Sequence, residues 1–290
     1  MYFCPIALLD GCFAPLGLSD SRLGTNKCLF GEIHIEYKGI KKNESTARTA
    51  PGNCHRSLIG NRPATARLLL HDGWSLGVAA RREAPLEQLA KDFPGQVVWS
   101  RIDVTDEQAA GQLEQLVKKA GGMDLFLYAS GVGKMNPNLD PEPEEATLRT
   151  NALGFTRMVG AAYRFFARQG HGHIAVITSI AGIRGLGPSP SYSATKALQS
   201  TYLEALEQQS HALGVNIRIT DIRPGFIDTP LLHGDKFPHT LSADKASRSI
   251  LKAIYGNRHV AYIDGLWHAV ALLMRLAPRA LWRRMNLNHA

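Results

Sequence analysis

From Ala64 to the last residue the chain has no cysteine; all four, Cys4, Cys12, Cys28 and Cys54, come earlier. A disulfide framework is thereby excluded for most of the chain, and the cysteine-free stretch points to a reducing, cytoplasmic setting. The eleven histidines are scattered, with no pair at ligand spacing on an evident helix, so no metal site is expected. No run of eighteen apolar residues occurs, and no membrane-spanning helix is expected. The opening MYFCPIALLDGCFAPLG has no basic stretch ahead of an apolar one, so no signal peptide is expected. Nor is there a basic stripe interleaved with aromatics, which argues against nucleic acid as a partner. Repeats and low-complexity segments are absent. The formal charge of +8 is unevenly spread: eight Lys/Arg against five Asp/Glu lie at or before Pro63, and Arg275, Arg279, Arg283 and Arg284 crowd the end. The middle is nearly neutral, and the excess suits an anionic cofactor or a membrane surface.

What is present from Ala64 onwards is regular alternation. Helical periodicity over Ala64–Asp72 gives way to a buried strand, Ser75–Ala80, then a helix at Pro85–Asp92 and a strand at Val97–Asp103. Glu107–Lys119 reads as a helix, Asp124–Ala129 as a strand and Glu144–Gln169 as one long helix. His173–Ser179 is the next strand, followed by a helix at Ser191–Leu213 and a strand at Val215–Ile222. Ala243–Tyr255 reads as a helix and His259–Ile263 as the last strand. Strands and helices of these lengths in alternation predict βαβ units, right-handed crossovers and a doubly wound, Rossmann-like α/β fold with a parallel sheet. Runs such as IAVITS are what strands buried on both faces require. The expected organisation is a single domain over 64–265, a C-terminal tail over 266–290 and an anomalous segment over 1–63.

Four residues stand in a suggestive order. Asn151 lies within RTNALG, Ser179 closes HIAVITS, and Tyr192 and Lys196 form a Y-x-x-x-K in SPSYSATKALQ. Four residues is about one helical turn, so Tyr192 and Lys196 share a helix face. Ser179 falls at the carboxyl end of a strand, where ligands bind in open α/β sheets. Reducing a carbonyl creates an alkoxide that must be protonated. A phenol with an ordinary pKa of about 10 does this poorly near neutrality, and a neighbouring ammonium improves it by stabilising the phenolate. Tyr192 is then the expected general acid and base, Ser179 the donor that holds the carbonyl oxygen, and Asn151 a site for a water leading from Lys196 to solvent. Alone, each motif has an ordinary structural use as a cap, a turn or a polar helix residue. Their joint order carries the reading.

These residues resemble the classical short-chain dehydrogenase/reductase family, over roughly Ala64 to Ile263. The resemblance implies catalytic roles for Asn151, Ser179, Tyr192 and Lys196, with Lys196 also reaching the cofactor ribose. It implies cofactor contacts at Asp103-Val104, at Ala129-Ser130-Gly131 and at Pro224, Gly225, Ile227 and Thr229. Tyr128-Ala129-Ser130-Gly131 departs from the family's N-N-A-G in its first and third positions. It further implies a homo-oligomer and a small-molecule carbonyl or alcohol substrate. Arg81 and Arg82 follow the second strand of the pattern; two guanidiniums suit a ribose 2′-phosphate, where a carboxylate would suit a 2′-hydroxyl. NADP(H) is therefore expected in preference to NAD(H).

The family's glycine-rich phosphate loop is missing where it belongs. The chain reads PGNCHRSLIGNRPATARLL there, with Gly60 alone. Codons permitted for Gly52 to Pro63, read one base later, include AIVIGASSGIGR, a strand followed by the family's loop. The expectation is that one base is lost near the codon of Pro63 and that residues 1–63 are an out-of-frame translation replacing the first strand and its loop. The competing reading is a catalytically impaired relic, or a dinucleotide-binding regulator without a phosphate loop. Asp228–Leu241 is the expected substrate lid, and Leu186–Pro190 should line the pocket. The tail from Leu266 to Met285 reads as a helix packed over the substrate mouth, a dimer contact or an interfacial membrane anchor, with packing the default.

Overall fold

The computed structural model describes the backbone of residues 56–59 together with residues 63–228 and 239–287. Strand β1 (Arg56–Ile59) is followed by α1 (Pro63–His71), β2 (Ser75–Ala80), α2 (Ala84–Asp92), β3 (Val97–Arg101), α3 (Ala109–Ala120) and β4 (Leu125–Tyr128). Next come α4 (Pro141–Leu148), a π-helical turn at Arg149–Gly154, α5 (Phe155–Gln169) and β5 (His171–Ile177). A 3-10 turn at Ile180–Gly182 leads to α6 (Pro190–Leu213) and β6 (Asn216–Arg223). Helix α7 (Ala243–Tyr255), β7 (Val260–Tyr262), α8 (Gly265–Leu276) and α9 (Arg279–Trp282) follow.

The strands form one sheet in the order β3-β2-β1-β4-β5-β6-β7, and all its pairings are parallel. This is the expected doubly wound arrangement. Successive residues of β4 bury on opposite faces: Leu125 and Leu127 join the cluster under α1, α2, α7 and α8, while Phe126 and Tyr128 join the one under α3, α5 and α6. Both faces are covered, which is why these strands are apolar throughout rather than alternating. Helices α5 and α6 stop at Gly170 and Gly214, whose φ of 87° and 65° are left-handed values that favour glycine.

Three expectations change. Arg56–Ile59 supplies the sheet's central strand, pairing with β2 on one side and β4 on the other. The chain as written therefore does not lack a first strand, and the sheet domain begins before Ala64. The long helix expected over Glu144–Gln169 is continuous in backbone from α4 to α5, but it takes in a π-turn at Arg149–Gly154, whose Gly154 sits against Val104 with no space for a side chain. Strand β5 stops at Ile177, so Ser179 stands beyond it, at the start of the 3-10 turn.

With every strand parallel, the carboxyl ends line one edge of the sheet. The order reverses between β1 and β4, and the crevice outside that edge is where ligands bind in such folds. Arg81–Arg82, Asp103, Ala129–Gly133, Ser179 and Pro224–Ile227 all follow strand ends on this edge.

Candidate active site

Helix α6 carries both Tyr192 and Lys196. Pro190 opens it, with φ suited to a first turn and no N–H to leave unpaired. Tyr192 is half-buried and Lys196 is only 4% exposed. The Lys196 Nζ lies 5.7 Å from the centre of the Tyr192 ring. It donates to the Ile177 carbonyl at the end of β5 (3.2 Å) and to Gln199 Oε1 (2.9 Å). A buried ammonium needs such acceptors, since an unpaired charge there is costly.

The loop after β4 closes on the same point. A Cβ added to Gly131 would lie 3.4 Å from Asn151 Oδ1 and 3.5 Å from Lys196 Nζ. One added to Gly133 would lie 2.6 Å from the Tyr192 ring, so Tyr192 packs where only glycine leaves space. Asn151 is fully buried. Its Oδ1 accepts from the Val132 N–H (2.9 Å), and its Nδ2 donates to the Val132 carbonyl (2.7 Å) and to Thr195 Oγ1 (3.2 Å). The Asn151 side chain thus ties the β4 loop to α6. Its backbone carbonyl accepts from Gln199 Nε2 at 2.8 Å.

Ser179 caps the 3-10 turn: its Oγ accepts from the Ala181 N–H (3.1 Å) and lies 3.5 Å from the Pro224 carbonyl. The turn is seated directly on α6, because a Cβ on Gly182 would lie 2.7 Å from the Lys196 backbone carbon. Ser179 and Lys196 are therefore held by one rigid contact between backbones.

The remaining expected cofactor residues differ in setting. Arg81 and Arg82 are exposed at the end of β2 and make no ion pair among the described residues. The Asp103 carboxylate accepts from the Thr105 N–H (3.0 Å) and hydroxyl (2.8 Å). Burial opposes its charge, but Thr105 together with Arg81 and Arg101 outweighs this and holds the carboxyl below its ordinary pKa. Val104 is buried, packs on Gly154 and accepts from Arg157 through its carbonyl (3.1 Å). Ala129 and Ser130 are half-buried at the end of β4. Tyr128 packs edge-on against Phe155 at 5.6 Å, and burial raises its hydroxyl's pKa. The departures from the family's motif at Tyr128 and Ser130 thus leave the strand end and Gly131 in place.

Pro224 accepts from Ile180 N (3.1 Å), and Ile227 is buried and bridged to Leu241. Gly225 lies under the Trp267 ring, 2.2 Å from where a Cβ would stand. Thr229 and most of the expected lid, 229–238, lie outside the described residues. Along this rim stand the two exposed guanidiniums after β2 and, after β4, Gly131, where a Cβ would come within 3.5 Å of the Lys196 ammonium. The residues joining β1 to α1, 60–62, lie outside the described residues.

Sequence reasoning missed a supporting network. Buried Asn136 donates to the Asp140 carbonyl and to Glu144 Oε1, both at 2.9 Å, and Glu144 also accepts from Ser191 Oγ (3.0 Å). This joins the β4 loop to the start of α6. Gln199 was also missed, although its spacing from Tyr192 and Lys196 puts all three on one helix stripe. Gly133 was legible only as the second glycine of SGVG.

A family model described as short chain dehydrogenase matches residues 59–236. An uncharacterized oxidoreductase of Listeria monocytogenes is 30% identical over 175 residues, covering 58% of this chain and 71% of its own length. The 3-oxoacyl-[acyl-carrier-protein] reductase of Bos taurus is 26% identical over 217 residues, covering 70% of this chain and 91% of its own. Among solved structures, a short chain dehydrogenase from Burkholderia cenocepacia in complex with NADP superposes with a TM-score of 0.69 at 22% identity, covering 80% of this chain and 97% of that one. Serine dehydrogenase from Escherichia coli gives 0.63 at 22% identity, covering 71% and 96%. At these identities the structural likeness is one of fold.

Proposed function

We propose that this chain, which belongs to the short-chain dehydrogenase family and is an NAD(P)-dependent oxidoreductase, interconverts a carbonyl and an alcohol with NADP(H), using Tyr192 as general acid and base. The observation that carries the reading is the buried Lys196 ammonium beside the Tyr192 ring at the carboxyl edge of the sheet. A phenolate next to an ammonium is stabilised, so Tyr192 can surrender a proton to a carbonyl oxygen and recover it from an alcohol. The Ser179 hydroxyl holds that oxygen. Lys196 holds the phenolate and, in the bound state, the ribose hydroxyls. Bound NADPH would supply the hydride. Asn151 acts by fixing the β4 loop against α6. The pair Arg81 and Arg82 supports NADP(H) over NAD(H), since each fork can bind a phosphate through two parallel hydrogen bonds.

The test is turnover of a carbonyl panel that includes an acetoacetyl thioester, with each nucleotide in turn. NADPH is expected to give a kcat/KM at least about tenfold above NADH, and Arg81→Ala with Arg82→Ala to erase the difference. Tyr192→Phe is expected to abolish turnover. Equal or better use of NADH overturns the cofactor choice; activity retained by Tyr192→Phe overturns the mechanism.

Three further readings rest on specific observations. The sequence Gly60-Asn61-Arg62 ahead of α1 offers one glycine where the family has a glycine-rich phosphate loop. That supports weak dinucleotide binding, as in a relic, and supports the loss of one base upstream of Ala64. Tight NADPH binding by the chain as written removes the first, and a fresh read of the DNA across Lys42–Arg67 decides the second. The tail supports membrane-surface contact: Leu266, Leu272, Leu273, Leu276, Leu281 and Met285 are exposed beside four arginines, and no Asp or Glu follows Asp264.

A further inference from the structure

We propose that Gln199 is a positioning residue for the Tyr192–Lys196 pair, its amide bridging the Lys196 ammonium and the Asn151 carbonyl. Gln199 is fully buried. Its Oε1 accepts from Lys196 Nζ at 2.9 Å and its Nε2 donates to the Asn151 carbonyl at 2.8 Å. The amide oxygen, the negative end of its dipole, faces the ammonium. The amide N–H faces a carbonyl of the π-turn, where the regular helical ladder is interrupted. Each half of the bridge fixes the other: the π-turn orients the amide, and the oriented amide holds the ammonium charged and in place.

The requirement is physical. Lys196 is 4% exposed, and a buried ammonium keeps its charge only when its N–H groups meet acceptors. An apolar side chain at 199 would remove an acceptor from Lys196 and leave the Asn151 carbonyl without this donor. The neutral form of Lys196 would then compete with the ammonium over the pH range where Tyr192 ionises, because the two groups titrate as a coupled pair. Less of the phenolate–ammonium form would be present at any pH. A carboxylate at 199 would act differently. It would hold the ammonium but also oppose a negative charge on Tyr192, moving phenol ionisation to higher pH. Gln199 meets both demands, accepting from the ammonium without adding a charge.

This inference rests on the acid–base reading of Tyr192, and the experiment separates the two. The variants are Gln199→Met, close in shape but without either hydrogen bond, and Gln199→Glu. Two readouts are taken: the pH profile of kcat/KM for NADP+-dependent oxidation of a secondary-alcohol panel, and the ultraviolet tyrosinate absorbance of the cofactor-free protein against Tyr192→Phe. Gln199→Met is expected to lower the high-pH plateau about tenfold, with KM little changed and a smaller tyrosinate signal for Tyr192. Gln199→Glu is expected to keep the plateau but to move both the kinetic limb and the tyrosinate step upward by about one pH unit. A purely structural Gln199 would change thermal stability and leave the limb where it is. Parental profiles and tyrosinate steps in whichever variant folds overturn the proposal. If Tyr192→Phe stays active, the acid–base reading fails alone, because the tyrosinate step still reports whether Gln199 sets the state of the pair.

Discussion

His173, the third residue of β5, is buried between strands, and its Nε2 lies 2.8 Å from Thr220 Oγ1 on β6. Burial, with Arg218 adding to it, pushes the imidazole down to about 4. In the unfolded chain the ring takes a proton near pH 6.5, while in the folded protein it stays neutral until about 4. The unfolded state therefore binds more protons in this window. Stability contributed by His173 is full above pH 6.5 and is lost as the pH falls towards 4, by up to about 3 kcal/mol. Urea unfolding at pH 7 and pH 5 should show a smaller difference in His173→Gln than in the parent, by about 2 kcal/mol. An unchanged difference would mean that the ring is not held neutral. At the same scale, the buried Arg223–Asp221 pair on β6 (2.6 Å) shows the opposite solution: the guanidinium stays charged because burial is offset by its carboxylate.

The elements that matter most for the site are the two irregular ones, the π-turn in front of α5 and the 3-10 turn after β5. Each makes a contact that a single added methyl group would break. Gly182→Ala would drive a Cβ to 2.7 Å from the Lys196 backbone, forcing the 3-10 turn off α6 and Ser179 away from Tyr192. The expected result is a loss of about 1–3 kcal/mol of stability and a kcat/KM reduced at least about tenfold. Gly111→Ala in α3 is the control, since a Cβ there meets nothing within 4 Å. If both variants turn over like the parent, the contact between turn and helix does not govern the site.

Across the whole molecule, the C-terminal helices have two different faces. Trp267, Ala271 and Met274 are buried, Trp267 stacking over Gly225 and edge-on against Phe226 at 5.3 Å. Arg184 donates to the Met274, Arg275 and Ala277 carbonyls, and Trp282 Nε1 donates to the Gly185 carbonyl at 2.8 Å. These bonds satisfy the orphan carbonyls at the end of α8 and tie the tail to the loop between Ser179 and Tyr192. The outer face, leucine-rich and carrying four arginines, is exposed. No described helix is long and apolar enough to cross a membrane. On the proposed membrane-surface reading, the protein co-floats with vesicles containing anionic lipid at low salt and not with neutral ones, and Arg279→Glu with Arg283→Glu and Arg284→Glu abolishes the binding. Failure to float with anionic vesicles removes the membrane reading and leaves packing or a dimer contact as the tail's role.

The sequence by itself determined the fold class, the order of the elements from Ala64 onwards and the family, because apolar periodicity and chain order are properties of the chain. Ser75–Ala80 and Ala243–Tyr255 form as read, and Tyr192 and Lys196 share a face because four residues make about one helical turn. What only the tertiary structure decided depends on partners far apart in the chain. Arg56–Ile59 becomes the central strand because β2 and β4 leave a place between them, although RSLI carries no strong strand pattern. The need for glycine at 154, in the π-turn, comes from Val104, some fifty residues earlier in the chain. Asn151 and Gln199 acquire their roles only when the π-turn, the β4 loop and α6 meet, since a buried hydrogen bond is fixed by the position of its partner rather than by the identity of its donor.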